Sequence, residues 1–161
     1  MTATRTDRAS RLIKAPRAKV YGAFVDPAAL VRWLPPEGMA GEMLEFDATP
    51  GAGYRMALNY EGEDHTPGKT SEHGDVVEAR FLVLVPNSKI IQSAAFESDD
   101  PAFAGTMVMT WTFEEGGETA GEATRVAIVC DNVPGGISKR DHDAGLKSSL
   151  RNLAAFVEPG R

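Results

Sequence analysis

The chain changes its hydrophobic period once, just after Pro35-Pro36 and Gly38. Before that point, residues 8–14 read as a short opening strand, and Ala15-Pro16 places proline where a helix begins without losing a needed N–H donor. Val20, Ala23 and Phe24 then recur at helical spacing. Asp26-Pro27 ends that helix and supplies the N-cap and first-turn pair of a second, which carries Leu30, Trp33 and Leu34. Beyond Gly38 the period falls from about 3.6 to about 2, the mark of strands.

Leu44, Phe46 and Ala48 alternate with Glu45 and Asp47, Pro50-Gly51-Ala52-Gly53 turns the chain, and Tyr54, Met56, Leu58 and Tyr60 return as the other arm of a hairpin. Residues 61–72, acidic and rich in Gly and Pro, read as a loop. A long strand beginning near His73 runs through 76–85, turns at Pro86-Asn87-Ser88, and pairs with 90–96. After a second loop at 97–103, Met107, Met109, Trp111 and Phe113 form one heavy apolar face, alternating with Val108, Thr110 and Thr112. A turn at 114–121 leads to a last alternating strand at 124–131. Six or seven strands thus follow one another without an intervening helix, so the sheet is expected to be antiparallel.

Gly135-Gly136-Ile137-Ser138 opens the C-terminal segment, with Ser138 and Asp141 at capping-box spacing. Leu146, Leu150, Leu153 and Val157 then form an i, i+4, i+7, i+11 stripe, with Lys147, Arg151 and Asn152 off it. About five turns of amphipathic helix result, enough to cross a sheet, and Pro159-Gly160 closes them. No internal repeat interrupts this order, so residues 1–161 are expected to be a single α+β domain with flexible ends near 1–6 and 158–161. The expected architecture is a curved antiparallel sheet gripping the long terminal helix, with two short helices after the first strand.

Composition narrows the function classes. Seventeen Lys plus Arg against 23 Asp plus Glu give a formal charge of −6, the wrong sign for a domain that tracks phosphate backbones or anionic lipid. The longest apolar runs, 81–85 and 126–130 among them, fall far short of the roughly 20 residues that span a bilayer. Residues 1–16 hold no continuous apolar run before a small-residue cleavage site, so export is not expected. Cys130 is the only cysteine, which removes intrachain disulfides and cysteine-rich zinc sites and suits a reducing cytoplasm. Its place in the Val126, Ile128, Cys130 alternation predicts a buried, inert thiol.

Ile13-Lys14-Ala15-Pro16 before Val20-Tyr21, Phe24-Val25-Asp26-Pro27 through Trp33, Gly51-Ala52-Gly53-Tyr54-Arg55, His73-Gly74-Asp75-Val76 and the helix from Gly145-Leu146 to Leu153 carry a resemblance. Over nearly its whole length the chain resembles the SRPBCC superfamily with its START-like helix-grip fold. Within that superfamily it resembles the group related to activators of the 90-kDa heat-shock protein ATPase. Two departures stand out: Ala52 interrupts the Gly-Gly pair that many relatives place before the aromatic residue, and the last helix has no Trp. The resemblance implies a cavity between the long helix and the concave sheet, used in the superfamily for apolar molecules, and none of the shared residues is a catalytic signature.

The candidate lining comprises Trp33, Tyr54, Met56, Met107, Met109, Trp111, His142, Leu146 and Leu150, with methionines suiting a pocket that adapts its shape. Tyr54 and Arg55 alternate along one strand, and Tyr54 is expected to point inward. His142, one turn before Leu146, extends the inward stripe and is the most interesting polar residue. Asp141 and Asp143 flank it, but neighbours on a helix project about 100° apart, so spacing positions neither as its orienting partner. His65 and His73 with Glu61, Glu63, Asp64 and Glu72 match no metal-ligand spacing, and no metal or cofactor is expected. Gly51-Ala52-Gly53 leads into a strand rather than a helix and is read as a turn, not a phosphate cradle. Ser148 and Ser149 lack a nucleophile elbow.

Three readings follow. The leading one is a small domain sheltering a hydrophobic or amphipathic molecule between sheet and helix, without covalent chemistry. The second, implied by the resemblance, is an enzyme of cyclase, aromatase or dehydratase type with His142 as acid or base. The third takes its cue from the group's name, a co-chaperone or stress-response partner. A homodimer is left open, and the 61–72 loop is either a lid or an excursion.

Overall fold

The computed structural model describes residues 5–35, 38–60, 74–96, 101, 105–119 and 121–158. In chain order they form β1 (Arg5–Ile13), α1 (Arg17–Gly22), α2 (Pro27–Trp33), β2 (Met39–Phe46), β3 (Gly53–Tyr60), β4 (Gly74–Val85), β5 (Lys89–Phe96), β6 (Met107–Glu115), β7 (Thr124–Val133) and α3 (Lys139–Val157). All seven strands join one antiparallel sheet in the order β1-β7-β6-β5-β4-β3-β2. The strands that come first in the chain therefore lie at opposite edges, and α1 and α2 carry the backbone from one edge to the other. The sheet is curved and α3 packs on it, the helix-grip arrangement of an α+β domain.

Local chemistry explains the helices. Asp26 caps α2 by accepting from the Ala28 N–H at 3.0 Å, with Pro27 in the first turn. Ser138 caps α3 by accepting from the Asp141 N–H at 3.1 Å. The buried stripe of α3, Leu146, Leu150, Leu153 and Val157, widened by Ala154, lies against β1 and reaches α2 and α1. Each of those leucines contributes roughly 1.5–3 kcal/mol by leaving water. Opposite them, Phe81, Ile90, Trp111, Phe113, Val126 and Ile128 fill the inward face of the sheet.

Three expectations need correction. β1 begins at Arg5, not at residue 8, so Arg5 and Thr6, assigned to a flexible end, belong to the strand. Thr6 is tied to Asp131 at 2.8 Å, and Arg5 donates to the Ile137 carbonyl at 2.6 Å. At the other end Glu158 accepts from the Lys14 N–H at 3.0 Å, so residue 158 is also held. β2 likewise starts earlier, at Met39, and a bulge between Met43 and Glu45 breaks the alternation. The bulge turns Leu44 outward, while Met43 and Phe46 pack against the core. Finally, α1 stops at Gly22, leaving Phe24 in the connection to α2.

Gly53 opens β3 tight against the backbone of β4. A Cβ there would overlap the Ala79 carbonyl and the Arg80 Cα. Only glycine permits this approach.

Candidate functional site

Between the sheet and the helices lies a cavity of about 180 Å³. α2 and its flank supply Leu30, Trp33 and Leu34; β3 supplies Tyr54, Met56 and Leu58; β4 supplies Val77. Gln92 and Ala94 come from β5, Met107, Met109 and Trp111 from β6, and His142, Gly145, Leu146 and Ser149 from α3. Phe24 completes the wall. Period-2 strands and a period-3.6 helix present alternate and every third or fourth residue to one volume, so residues far apart in sequence share a surface.

The floor is aromatic. Phe24 stands edge-on to Trp33 and to Trp111, each at 4.7 Å between ring centroids, and to Phe113 at 5.1 Å. Trp33 and Trp111 are 6.0 Å apart and nearly perpendicular. Such edge-to-face pairs contribute about 0.5–1.5 kcal/mol each beyond burial, which makes this side of the cavity rigid. The Trp33 indole N–H donates to the Ala23 carbonyl at 2.9 Å, so Trp33 offers the cavity only its apolar body. Ser149 is similarly occupied, donating to the Leu34 carbonyl at 2.9 Å.

Two polar spots interrupt this surface. At one, the Gln92 amide donates to the Tyr54 hydroxyl at 3.3 Å, and its nitrogen lies 4.0 Å from the Met109 sulfur. Burial pushes the Tyr54 hydroxyl above its ordinary pKa, although the Gln92 hydrogen bond pulls the other way, so it stays protonated. At the other, His142 Nδ1 lies 2.7 Å from Asp7 Oδ2. Asp7 is fully buried and also meets Arg5 at 3.0 Å and Lys139 at 3.4 Å. Desolvation, the largest single influence, pushes its carboxyl up, but the hydrogen bonds from His142 and Arg5, the Arg5 charge and Lys139 together outweigh it. Asp7 therefore sits below its ordinary pKa and is ionised at neutral pH.

The two spots belong to one row. Across the sheet Asp7 pairs with Cys130, Cys130 with Met109, and Met109 with Gln92. Directly opposed residues share a face, so an acid, a thiol, a thioether and an amide line up across β1, β7, β6 and β5. Cys130 is wholly buried, and burial together with the negative charges of Asp7 and Asp131 pushes its thiol up to about 12. It is a packing residue, not a nucleophile.

Of the candidate lining, Trp33, Tyr54, Met56, Met107, Met109, Trp111, His142 and Leu146 face this cavity. Leu150 does not: one turn on, it is 1% exposed and packs in the closed core. Phe24, Leu30, Leu34, Leu58, Val77, Gln92, Ala94, Gly145 and Ser149 were missed, as was Asp7. Neither sequence neighbour orients His142. The partner is Asp7, 135 positions away on the first strand, whereas Asp143 pairs with Lys139 at 3.3 Å. The one available signal was parity, since Asp7 is in phase with Ala9 and with the inward Ile13.

The candidates His65, His73, Glu61, Glu63, Asp64 and Glu72 and the 61–72 loop lie outside the described residues. Among the described residues no group of three potential ligands is placed to hold a metal ion, and no helix is long and apolar enough to cross a membrane.

Residues 14–158 match the sequence model of a family described as Activator of Hsp90 ATPase homolog 1-like protein. Protein CV1439 from Chromobacterium violaceum, known from a crystal structure, is 35% identical with a TM-score of 0.79, over 96% of this chain and 97% of that one. A solution structure from Staphylococcus epidermidis is 18% identical with a TM-score of 0.72, over 98% and 92%. DynU16, described as belonging to the dynemicin biosynthetic locus, is 22% identical with a TM-score of 0.64, over 97% of this chain and 48% of that one. The last two share the fold. No curated protein matches the chain.

Proposed function

The chain belongs to the family of Activator of Hsp90 ATPase homolog 1-like proteins, and on that scaffold we propose that it binds a small, largely apolar molecule between the sheet and α3. The observation that carries this reading is the cavity itself. Its wall is predominantly apolar and it is partly open to solvent, so an apolar occupant can enter and gains by displacing water from that wall. An engineered cavity of about 150 Å³ holds benzene, so the volume suits one ring with a few substituents rather than a sterol. The edge-to-face aromatics on one side and Met56, Met107 and Met109 on the other combine a rigid floor with an adaptable wall. A buried, unreactive single cysteine agrees with a reducing, cytoplasmic setting.

The test compares the protein's mass under native and denaturing conditions and follows its melting temperature with a panel of one-ring compounds. A ligand at about 100 times its Kd adds about 2.7 kcal/mol, which for a domain of this size raises Tm by roughly 5–10 °C. No excess mass and no shift with any compound would sink the reading.

A second reading, a proton-transferring enzyme of the cyclase, aromatase or dehydratase type, is favoured by the His142–Asp7 contact in the wall. His142→Gln should then abolish turnover while sparing affinity for apolar ligands, and an unchanged rate would exclude it. A chaperone partner has only the family's name behind it.

A further inference from the structure

We propose that the cavity takes a single-ring molecule bearing an acidic hydroxyl, a phenol or a cyclic enol, and that His142, oriented by Asp7, binds this hydroxyl and accepts its proton. The inference rests on the binding reading above and adds the chemical class of the ligand.

The argument starts from the tautomer. An ionised carboxylate can only accept hydrogen bonds, so the hydrogen between Asp7 and His142 sits on Nδ1. In the neutral imidazole, Nε2 is then the acceptor. It has no hydrogen bond to any described residue, and the ring forms part of the cavity wall. What suits this spot is a donor, an O–H or N–H, and not a bare carbonyl.

Charge selects an acidic donor. With His142 neutral, Arg5 and Lys139 offset Asp7 and Asp143, to which they are paired. A lone imidazolium would have a partner on one side only, the Asp7 carboxylate at Nδ1. When the proton comes from the ligand, the O–H bond breaks, oxygen keeps the electron pair, and an N–H bond forms at Nε2. The imidazolium then lies between the Asp7 carboxylate and the ligand oxyanion, and the net charge of the complex does not change. This is the arrangement in which a buried charge is tolerated, paired and hydrogen-bonded on both sides.

The other groups nearby leave the exchange to this pair. From β7, Cys130 remains a thiol, and Asp131, on the opposite face, accepts from Thr6. From β3, Tyr54 remains protonated and is engaged by Gln92. Arg5 on β1 and Lys139 and Asp143 on α3 hold the charges already counted.

The experiment uses the full chain with 4-nitrophenol, whose anion absorbs at longer wavelength than its acid, and nitrobenzene, which lacks the hydroxyl. About one pH unit below the free phenol's ionisation, bound 4-nitrophenol should show the anion band and bind at least tenfold tighter than nitrobenzene. His142→Gln should remove both the band and the preference for 4-nitrophenol over nitrobenzene. Asp7→Asn, which keeps an acceptor for Nδ1, should weaken the band. Equal affinities with no anion band would overturn this proposal and leave cavity binding standing. Failure of both compounds to bind folded protein would overturn this proposal, and the cavity reading falls with it only if the mass comparison and the wider panel are also negative. Should His142→Gln not fold, the wild-type spectrum decides alone, since binding of 4-nitrophenol purely as its acid refutes the proton transfer.

Discussion

Replacing Asp7 with Asn tests the buried cluster directly. The side chain keeps its shape and an oxygen for His142 Nδ1, but loses the charge that faces Arg5 at 3.0 Å and Lys139 at 3.4 Å. Removing one partner of a buried ion pair costs about 3–5 kcal/mol. Here the cost should fall below that range, because Arg5 retains the Ile137 carbonyl and Lys139, largely exposed, retains Asp143. A loss of about 2–3 kcal/mol at neutral pH follows, which at about 2 kcal/mol per M lowers the urea midpoint by roughly 1–1.5 M. The pH dependence carries the sharper test. Asp7 is held below its ordinary value near 3.8, so its contribution is fully present above that value. As acid is added the unfolded chain takes up this proton first, and the contribution is lost as pH falls toward the folded pKa. The gap between wild type and Asp7→Asn should therefore persist from neutrality to about pH 5 and narrow below about pH 4. Urea melts of both proteins at matched pH isolate this group from the other carboxylates. A gap under 0.5 kcal/mol at pH 7, or one that stays constant into strong acid, would refute the account.

Gly145 sits inside α3 and lines the cavity, and a Cβ there meets nothing within 4 Å. Gly145→Ala should stabilise the protein by roughly 0.5–1 kcal/mol in thermal or urea melts while weakening binding of one-ring compounds; equal or lower stability would contradict the open space. Gly53→Ala should destabilise by at least about 2 kcal/mol, through overlap with the Ala79 carbonyl and the Arg80 Cα, and circular dichroism during unfolding measures it. Cys130, buried and with its thiol pushed up to about 12, should resist thiol reagents at neutral pH until the chain unfolds. Labelling faster than unfolding, followed by mass spectrometry, would show that the β7 face opens locally.

How far the sequence could be read depended on whether a feature is periodic or depends on distant pairing. The strand alternation at Met107, Met109, Trp111 and Phe113 and the α3 stripe from Leu146 are repeats along one element, and the burial of both follows them. Leu44 was misplaced because a bulge adds a residue to β2 without changing local composition. Leu150 obeys the same stripe as Leu146, yet the two differ in what they face: the end of the cavity is set by the helix's approach to the sheet, which no period encodes. The Asp7–His142 contact was invisible for a related reason. It joins the first strand to the last helix through the pairing of β1 with β7, and a lone acid near a chain end carries no local sign of burial. Gln92 escaped notice because a polar residue among Ile90, Ile91 and Ala94 reads as an outward position, whereas its side chain is satisfied inside by Tyr54.

The aromatic floor also makes the protein its own detector. The chain contains two tryptophans, Trp33 and Trp111, and both line the cavity, 6.0 Å apart. All indole emission therefore originates at the wall of one small space, with no silent tryptophan elsewhere to dilute it. Their near-perpendicular proximity couples the two chromophores, so the near-ultraviolet dichroism reports their mutual angle as well as their surroundings. Quenching by a nitroaromatic, a change in emission colour on displacement of water, or a collapse of the coupled dichroic band can each be read from unlabelled protein, and each concerns the same small cavity.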